Sequence, residues 1–237
     1  MVDQLTLIPA GPSAPQTIAS AAAMATGEPT SASSVYPSLE AVREAVCQCT
    51  QCPLHSTRTQ TVFSDGNPAA PLMLIGEGPG QQEDETGIPF VGRAGQLLTQ
   101  ILQSVQISRQ QDIYICNIVK CRPPNNRVPA PAEMAACANY LYAQIALIQP
   151  RLILLAGATA VRGILKNDAP ISRIRGQWLE TPFNGAKAMP IFHPSYLLRN
   201  PSKEPNSPKW LMWQDIQAVR KALDETGWVV GQGWPQQ

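Results

Sequence analysis

The sequence predicts an α/β fold whose parallel sheet is covered by helices on both faces. Short, continuously apolar runs alternate with segments of helical period, the pattern of strand–helix–strand units. The runs end in glycines, prolines or polar residues, which mark the passage from strand to loop. A length of 237 residues with an apolar share of 44% suffices for one ordinary domain with a real core.

In chain order, residues 1–37 form an Ala-, Ser-, Thr- and Pro-rich leader in which Asp3 and Glu28 are the only charged side chains. Its few large apolar side chains cannot offset the entropy of ordering, so disorder is expected. Residues 38–47 suit a short helix, with Ser38 as cap and Leu39, Val42 and Val46 on one face. Residues 71–75 read as a buried strand running into glycines. Leu97, Leu98, Ile101, Leu102 and Val105 mark a helix over 94–105. A strand is predicted over 112–119, then a helix over 131–148 with Pro131 at its first position. Residues 151–156 and 188–192 read as strands, with a short helix over 158–165 between them. Met212, Ile216, Val219 and Leu223 form one stripe of a helix over 208–226 that Gly227 would end. The organised domain is expected over 38–227, with 228–237 as a tail. Ligands in such folds bind beyond the carboxyl ends of the strands. Four segments sit there: Gly76 to Gly80, Asn117 to Arg127, Gly157 onward and His193 onward.

The net charge of +1, from 18 basic and 17 acidic residues, gives no bulk argument for nucleic acid. Without the leader, 18 bases face 15 acids, still a modest excess. A DNA partner would have to meet locally clustered cations. No run approaches the roughly 18 consecutive apolar residues of a membrane helix, so no membrane contact is expected. The amino terminus lacks the basic start of a secretory signal and the arginines of a transit peptide. The expectation is a cytoplasmic chain whose thiols stay reduced.

The six cysteines then need another explanation. Cys49-Thr-Gln-Cys52 has the two-residue gap that lets both sulfurs face one centre. Cys121 and Cys137 are the best remaining pair. Four thiolates from distant segments suit either zinc or a [4Fe–4S] cluster, and spacing does not choose. Cys116, in an apolar strand, reads as a packed thiol. Cys47 is a spare thiol or an alternative ligand.

Gly76-Glu-Gly-Pro-Gly80 follows the first strand but fails the dinucleotide fingerprint, with Gln81 at the sixth position and Glu83-Asp84-Glu85 close behind. It lets backbone approach a ligand, or is a plain strand-ending turn. Phe90 sits in a stiff segment between Gly87 and Gly92, placed to offer an aromatic face or to fill core. Lys120-Cys-Arg-Pro-Pro-Asn-Asn-Arg127 carries three cations on a proline-stiffened loop, with asparagines that can donate and accept as a base edge requires. His193 follows the last strand, where an imidazole can act as acid or electrostatic catalyst.

Together, Gly76-Glu-Gly-Pro-Gly80 with Glu83-Asp84, Gly87-Ile-Pro-Phe-Val-Gly92, Lys120-Cys-Arg-Pro-Pro with Asn126-Arg127, and His193-Pro-Ser-Tyr resemble the family 4 uracil-DNA glycosylases. The resemblance runs from about Ser38 to Gly227. It implies a three-layer α/β/α sandwich with a four-stranded parallel sheet. It also implies a structural [4Fe–4S] cluster on Cys49, Cys52, Cys121 and Cys137, leaving Cys47 and Cys116 outside the ligand set.

The implied reaction is hydrolysis of the N-glycosidic bond of deoxyuridine in single- or double-stranded DNA, G·U pairs included. The base is first flipped out, most cheaply where it is mismatched or unpaired. Phe90 would stack on the uracil, Gly78 would line its site and Asn117 would read its edge. His193 would stabilise the departing uracil anion. Glu77 and Glu83 would position water or counter the developing cation, and Asn126 would set the water or the loop. A branch that activates water with an aspartate carries it in the first motif, where this chain has Gly78-Pro79. Glu83 or a neighbour would block the thymine methyl. Arg122, Arg127, Ser195 and Arg199 would bind phosphates, so binding should weaken with salt. The expected partner is uracil-containing DNA, the expected state a monomer, and the expected location the nucleoid.

Three rival readings fit these motifs less well. A covalent-trapping relative carries an Arg-Arg-Ile-His insertion that this chain lacks. A non-catalytic DNA-binding or polymerase-associated domain would have lost Glu77, Phe90, Asn117 or His193. An iron–sulfur redox protein with a nucleotide site is disfavoured by the failed fingerprint.

Overall fold

The computed structural model describes residues 36–234, so nearly all of the expected leader lies outside the described residues. The helices are α1 Leu39–Cys47, α2 Gln81–Thr86, α3 Arg93–Gln103, α4 Pro131–Ile148, α5 Ala158–Leu165, α6 Ile171–Ile174, α7 Pro194–Arg199 and α8 Pro208–Glu225. The strands are β1 Asp65–Gly66, β2 Leu72–Gly76, β3 Ile113–Asn117, β4 Leu152–Ala156, β5 Leu179–Glu180 and β6 Lys187–Ile191.

The sheet runs β1-β3-β2-β4-β6-β5. Its four inner strands are parallel, with Leu72 opposite both Ile113 and Leu152, and Leu152 opposite Lys187. The expected four-stranded parallel sheet is therefore present, extended at each edge by a two-residue antiparallel strand. Strands that short carry no readable alternation.

Side chains alternate across this sheet with the period of two that an extended backbone imposes. Met73, Ile75, Tyr114, Cys116, Ile153 and Leu155 enter one core, shared with α1, α4 and α5. Leu72, Leu74, Ile113, Ile115, Leu154 and Ile191 enter the other, shared with α3 and α8. This makes the sandwich three-layered.

Local chemistry fixes the helix ends. The Ser38 hydroxyl accepts the Ala41 N–H at the start of α1. Pro131 opens α4, where Glu133 reaches back to the Ala130 N–H. Gly227, at φ 83°, follows α8 in the left-handed conformation that stops a helix.

The described part of the tail docks on the body. Buried Trp228 donates from its indole nitrogen to Asp112 at 2.9 Å, and the Gly231 N–H donates to the same carboxylate. The Arg151 guanidinium lies over the Trp234 ring. Asp112 and Arg151 precede β3 and β4, so the tail covers the strand starts. Among the described residues no helix is long and apolar enough to cross a membrane.

Candidate active site and cysteine cavity

The parallel strands all release their chains at the same edge of the sheet. There a cleft of about 930 Å³, partly open to solvent, is lined by Glu77, Gly78, Glu83, Phe90, Asn117, Asn126, Arg127, His193, Ser195 and Arg199. Of the residues expected at the site from sequence, only Arg122 and the four cysteines lie outside this lining. Arg122 stands beside it, its Nε donating to Asn126 Oδ1 at 2.8 Å.

Phe90 forms one wall. It adopts φ 53°, a left-handed conformation costly for an aromatic residue. The neighbours enforce it. A Cβ on Gly95 would collide with the Phe90 carbonyl, and one on Gly76 would collide with the Phe90 ring and Asn117 Oδ1. The two glycines thus let α3 and β2 press directly onto the Phe90 segment. Its ring centroid is 5.7 Å from that of His193.

Glu83 holds the same segment from below. Its Oε1 accepts the N–H groups of Val91 and Gly92 at 2.9 and 2.8 Å, and its Oε2 accepts the Gly80 N–H at 3.1 Å. This carboxylate is therefore committed to the backbone that shapes the pocket. Glu77 is engaged differently, accepting the hydroxyl of buried Thr159 near the start of α5. Thr159 was not singled out from sequence, although it lies in the strand-end segment after Gly157.

Asn117, the last residue of β3, is buried, and its Oδ1 has no partner among the described residues. Buried polar atoms are almost always paired, so this one awaits a donor from a ligand. His193 caps α7, its Nδ1 accepting the Ser195 N–H at 3.2 Å and lying 2.8 Å from the Ser195 hydroxyl. Nδ1 is thus the acceptor nitrogen, which puts the proton of the neutral ring on Nε2. Burial, helped by the Arg199 charge and opposed by Glu83, pushes the His193 pKa down to about 4. The ring is neutral at pH 7.

The cations of the basic loop are engaged within the protein. Asn125 and Asn126 both take left-handed angles, which asparagine tolerates better than most residues. Arg127 pairs bidentately with Glu133 at 2.8 and 2.7 Å. The guanidinium, ahead of the Ala130 N–H, holds the Glu133 carboxyl below its usual range despite burial. Lys120 is not on the loop surface; it is only 1% exposed.

A second, much tighter cavity is lined by Cys49, Cys52, Cys121 and Cys137, with Arg58, Lys120 and Tyr140 among its other walls. Cys47 and Cys116 do not line it. Burial pushes the Cys137 thiol up to about 11, with Lys120 opposing and Cys121 and Cys49 adding to the rise. Arg58 donates to the Cys121 sulfur at 3.1 Å and to the carbonyls of Cys49 and Cys47. The next residue, Thr59, donates its N–H to the Asp84 carboxylate of α2, and Gln60 donates to the Glu85 carbonyl. Three consecutive residues therefore tie the cysteine cavity to the helix that carries Glu83. Among the described residues no three His, Cys, Asp or Glu side chains are gathered closely enough to hold a single metal ion.

The cleft offers a flat aromatic wall, an amide edge, a neutral imidazole and a fixed carboxylate, a set suited to a planar, hydrogen-bonding ring. A family model described as the uracil DNA glycosylase superfamily matches residues 63–217. A type-4 uracil-DNA glycosylase of Thermotoga maritima is 47% identical over 80% of this chain and 96% of its own length. One of Archaeoglobus fulgidus is 40% identical over 69% of this chain and 85% of its own. A DNA polymerase of Bacillus phage SP01 is 32% identical over 57% of this chain, which is only 14% of the phage protein.

Proposed function

The chain belongs to the type-4 uracil-DNA glycosylases, hydrolases that excise uracil in DNA repair, and we propose how its own residues perform that excision. Uracil flipped from the helix enters the cleft that Phe90 and His193 both line. Phe90 stacks on the ring. The unpartnered Asn117 Oδ1 accepts the N3–H and its amide nitrogen donates to O4. Cytosine, with an acceptor at N3 and a donor at N4, meets the wrong partner at both positions. The single observation that carries this reading is the orphaned Asn117 oxygen opening into the same cleft as Phe90 and His193.

As the N-glycosidic bond lengthens, charge develops on uracil O2 and on the deoxyribose. His193, neutral and protonated on Nε2, donates to O2 without first having to lose a proton. Glu77, oriented by Thr159, sits where it can counter the cationic sugar and hold the attacking water. Glu83 acts through the loop it clamps. The pocket is open enough for an extruded nucleotide, and extrusion is cheapest from single strands and from G·U pairs, which we take as the preferred substrates. Arg199 and Arg122 meet phosphates, whereas Arg127 chiefly fixes the loop through Glu133.

The cofactor reading is a [4Fe–4S] cluster on Cys49, Cys52, Cys121 and Cys137. The four sulfurs surround one cavity without converging on a point, which fits a multi-atom cluster better than a lone zinc ion. When bound, the cluster supplies cross-linking of the α1 turn to the basic loop rather than a step of the hydrolysis.

The test is cleavage of end-labelled oligonucleotides after alkali, each carrying one uracil in single-stranded, U·A or G·U context, beside cytosine and thymine controls. Cutting at uracil alone, lost in Asn117→Ala and His193→Ala, is expected. Cutting at cytosine by the intact protein would refute the role given to Asn117.

A further inference from the structure

Lysine is almost never fully buried without an anionic partner. Lys120 is buried, yet it belongs to none of the ion pairs among the described residues. No carboxylate lines the cysteine cavity that it borders. Its Nζ donates instead to the neutral main-chain carbonyl of Asn117, at 2.8 Å. Its own carbonyl accepts the Val62 N–H, and it shares the wall of the cysteine cavity with Cys137. In sequence it is next to Cys121 and three residues from Asn117.

We infer that Lys120 is a positioning residue for uracil recognition and the counter-cation of the cluster, joining the two centres through one side chain. The inference rests on the cofactor and Asn117 readings proposed above. A cluster held by four thiolates carries net negative charge, which supplies the anion that a buried ammonium otherwise lacks. The Asn117 side-chain oxygen has no partner among the described residues, so no hydrogen bond at that oxygen fixes the direction of the amide. Asn117 is the last rung of β3, opposite Gly76. Just beyond the ladder, the Lys120 ammonium takes over its carbonyl. The charge of the cluster holds the ammonium, and the ammonium holds the asparagine.

The test compares wild-type protein with Lys120→Met, which keeps the length and loses both charge and donor. Iron content is measured first. Wild-type protein isolated without iron would overturn the cofactor reading, and this inference with it. With iron-loaded proteins, two quantities are read: the cluster reduction potential by protein-film voltammetry, and the Kd of free uracil by product inhibition. Loss of a nearby positive charge disfavours the more negative reduced cluster, so K120M should have a lower potential. Loss of the Asn117 anchor should weaken free uracil roughly five- to tenfold. A merely structural lysine would move neither quantity in a folded, iron-loaded variant. An unchanged potential or an unchanged uracil affinity overturns the link, because one ammonium carries both. Should K120M fail to fold or to hold iron, 15N-lysine spectra of the wild-type protein decide. The Lys120 ammonium signal should be shifted by the paramagnetic cluster and should move again on saturation with uracil. A signal that ignores either overturns the inference.

Discussion

Glu83→Gln separates two uses of a carboxylate that lines the cleft. In the structure its oxygens accept three backbone N–H groups, two from Val91 and Gly92 and one from Gly80. Glutamine has one acceptor oxygen and one donor nitrogen. Whichever way the amide is turned, its NH2 faces at least one of these N–H groups. Hydrogen bonds to a charged group contribute about 1.5–3 kcal/mol, and an orphaned buried donor costs about 1–3 kcal/mol. A loss of roughly 2–4 kcal/mol of stability is expected. For a domain of this size that lowers Tm by roughly 5–15 °C. The released segment begins with Phe90 at φ 53°, a strained angle worth about 1–3 kcal/mol that the clamp helps to enforce. Once free, Phe90 spends much of its time off the stacking position, and kcat/KM should fall roughly 10–30-fold. The assay pairs melting curves with single-turnover cleavage of a uracil oligonucleotide, at matched iron content. A wild-type Tm with activity lost by a thousandfold or more would refute the clamp and make Glu83 a direct participant. Lowered Tm with full activity would refute the dependence of Phe90 on it.

Further outcomes follow from the same geometry. His193 titrates near pH 4 in the folded chain and near 6.5 when unfolded. Between these values the unfolded chain binds the extra proton, so stability falls as pH falls through that window, by about 3 kcal/mol in total. Denaturant melts from pH 8 to 4 should show this slope, and His193→Gln should flatten it. The acid limb of kcat/KM in the free enzyme should likewise lie near pH 4 rather than 6.5. Thr159→Val should lower kcat roughly tenfold with little change in Tm, and Thr159→Ser should restore it, since only the hydroxyl to Glu77 is at issue. Cys137→Ser should lose most of its iron and the absorbance near 400 nm, whereas Cys47→Ser, outside the cavity, should keep both.

The four inner strands were legible because each is an apolar run buried on both faces, and their helices because one stripe of each is apolar. The elements missed are those whose reason lies elsewhere in the chain. Acidic α2 has no apolar face, and it forms because Glu83 and Asp84 find backbone donors at Val91, Gly92 and Thr59. Short α7 owes its start to His193 accepting the Ser195 N–H. The cleft followed from the rule that ligands meet the carboxyl ends of parallel strands, which already pointed to Glu77, Phe90, Asn117 and His193. What each side chain does there was less legible. For Glu83, nothing local reveals that the chain folds back to place three N–H groups on its carboxylate. Lys120 read as a surface cation because Arg122 and Arg127 share its loop, while the turn between them puts it inside.

The docked tail has a practical consequence. Trp228 and Trp234 rest on residues that precede β3 and β4, whereas the cleft lies where those strands finish. The length of the sheet separates the two. A biotin or fluorophore attached beyond Trp234 would leave the mouth of the cleft facing away from a support, so that immobilised enzyme should capture long DNA as readily as enzyme in solution. Attachment through Val128 or Leu198, exposed beside the cleft, should block it.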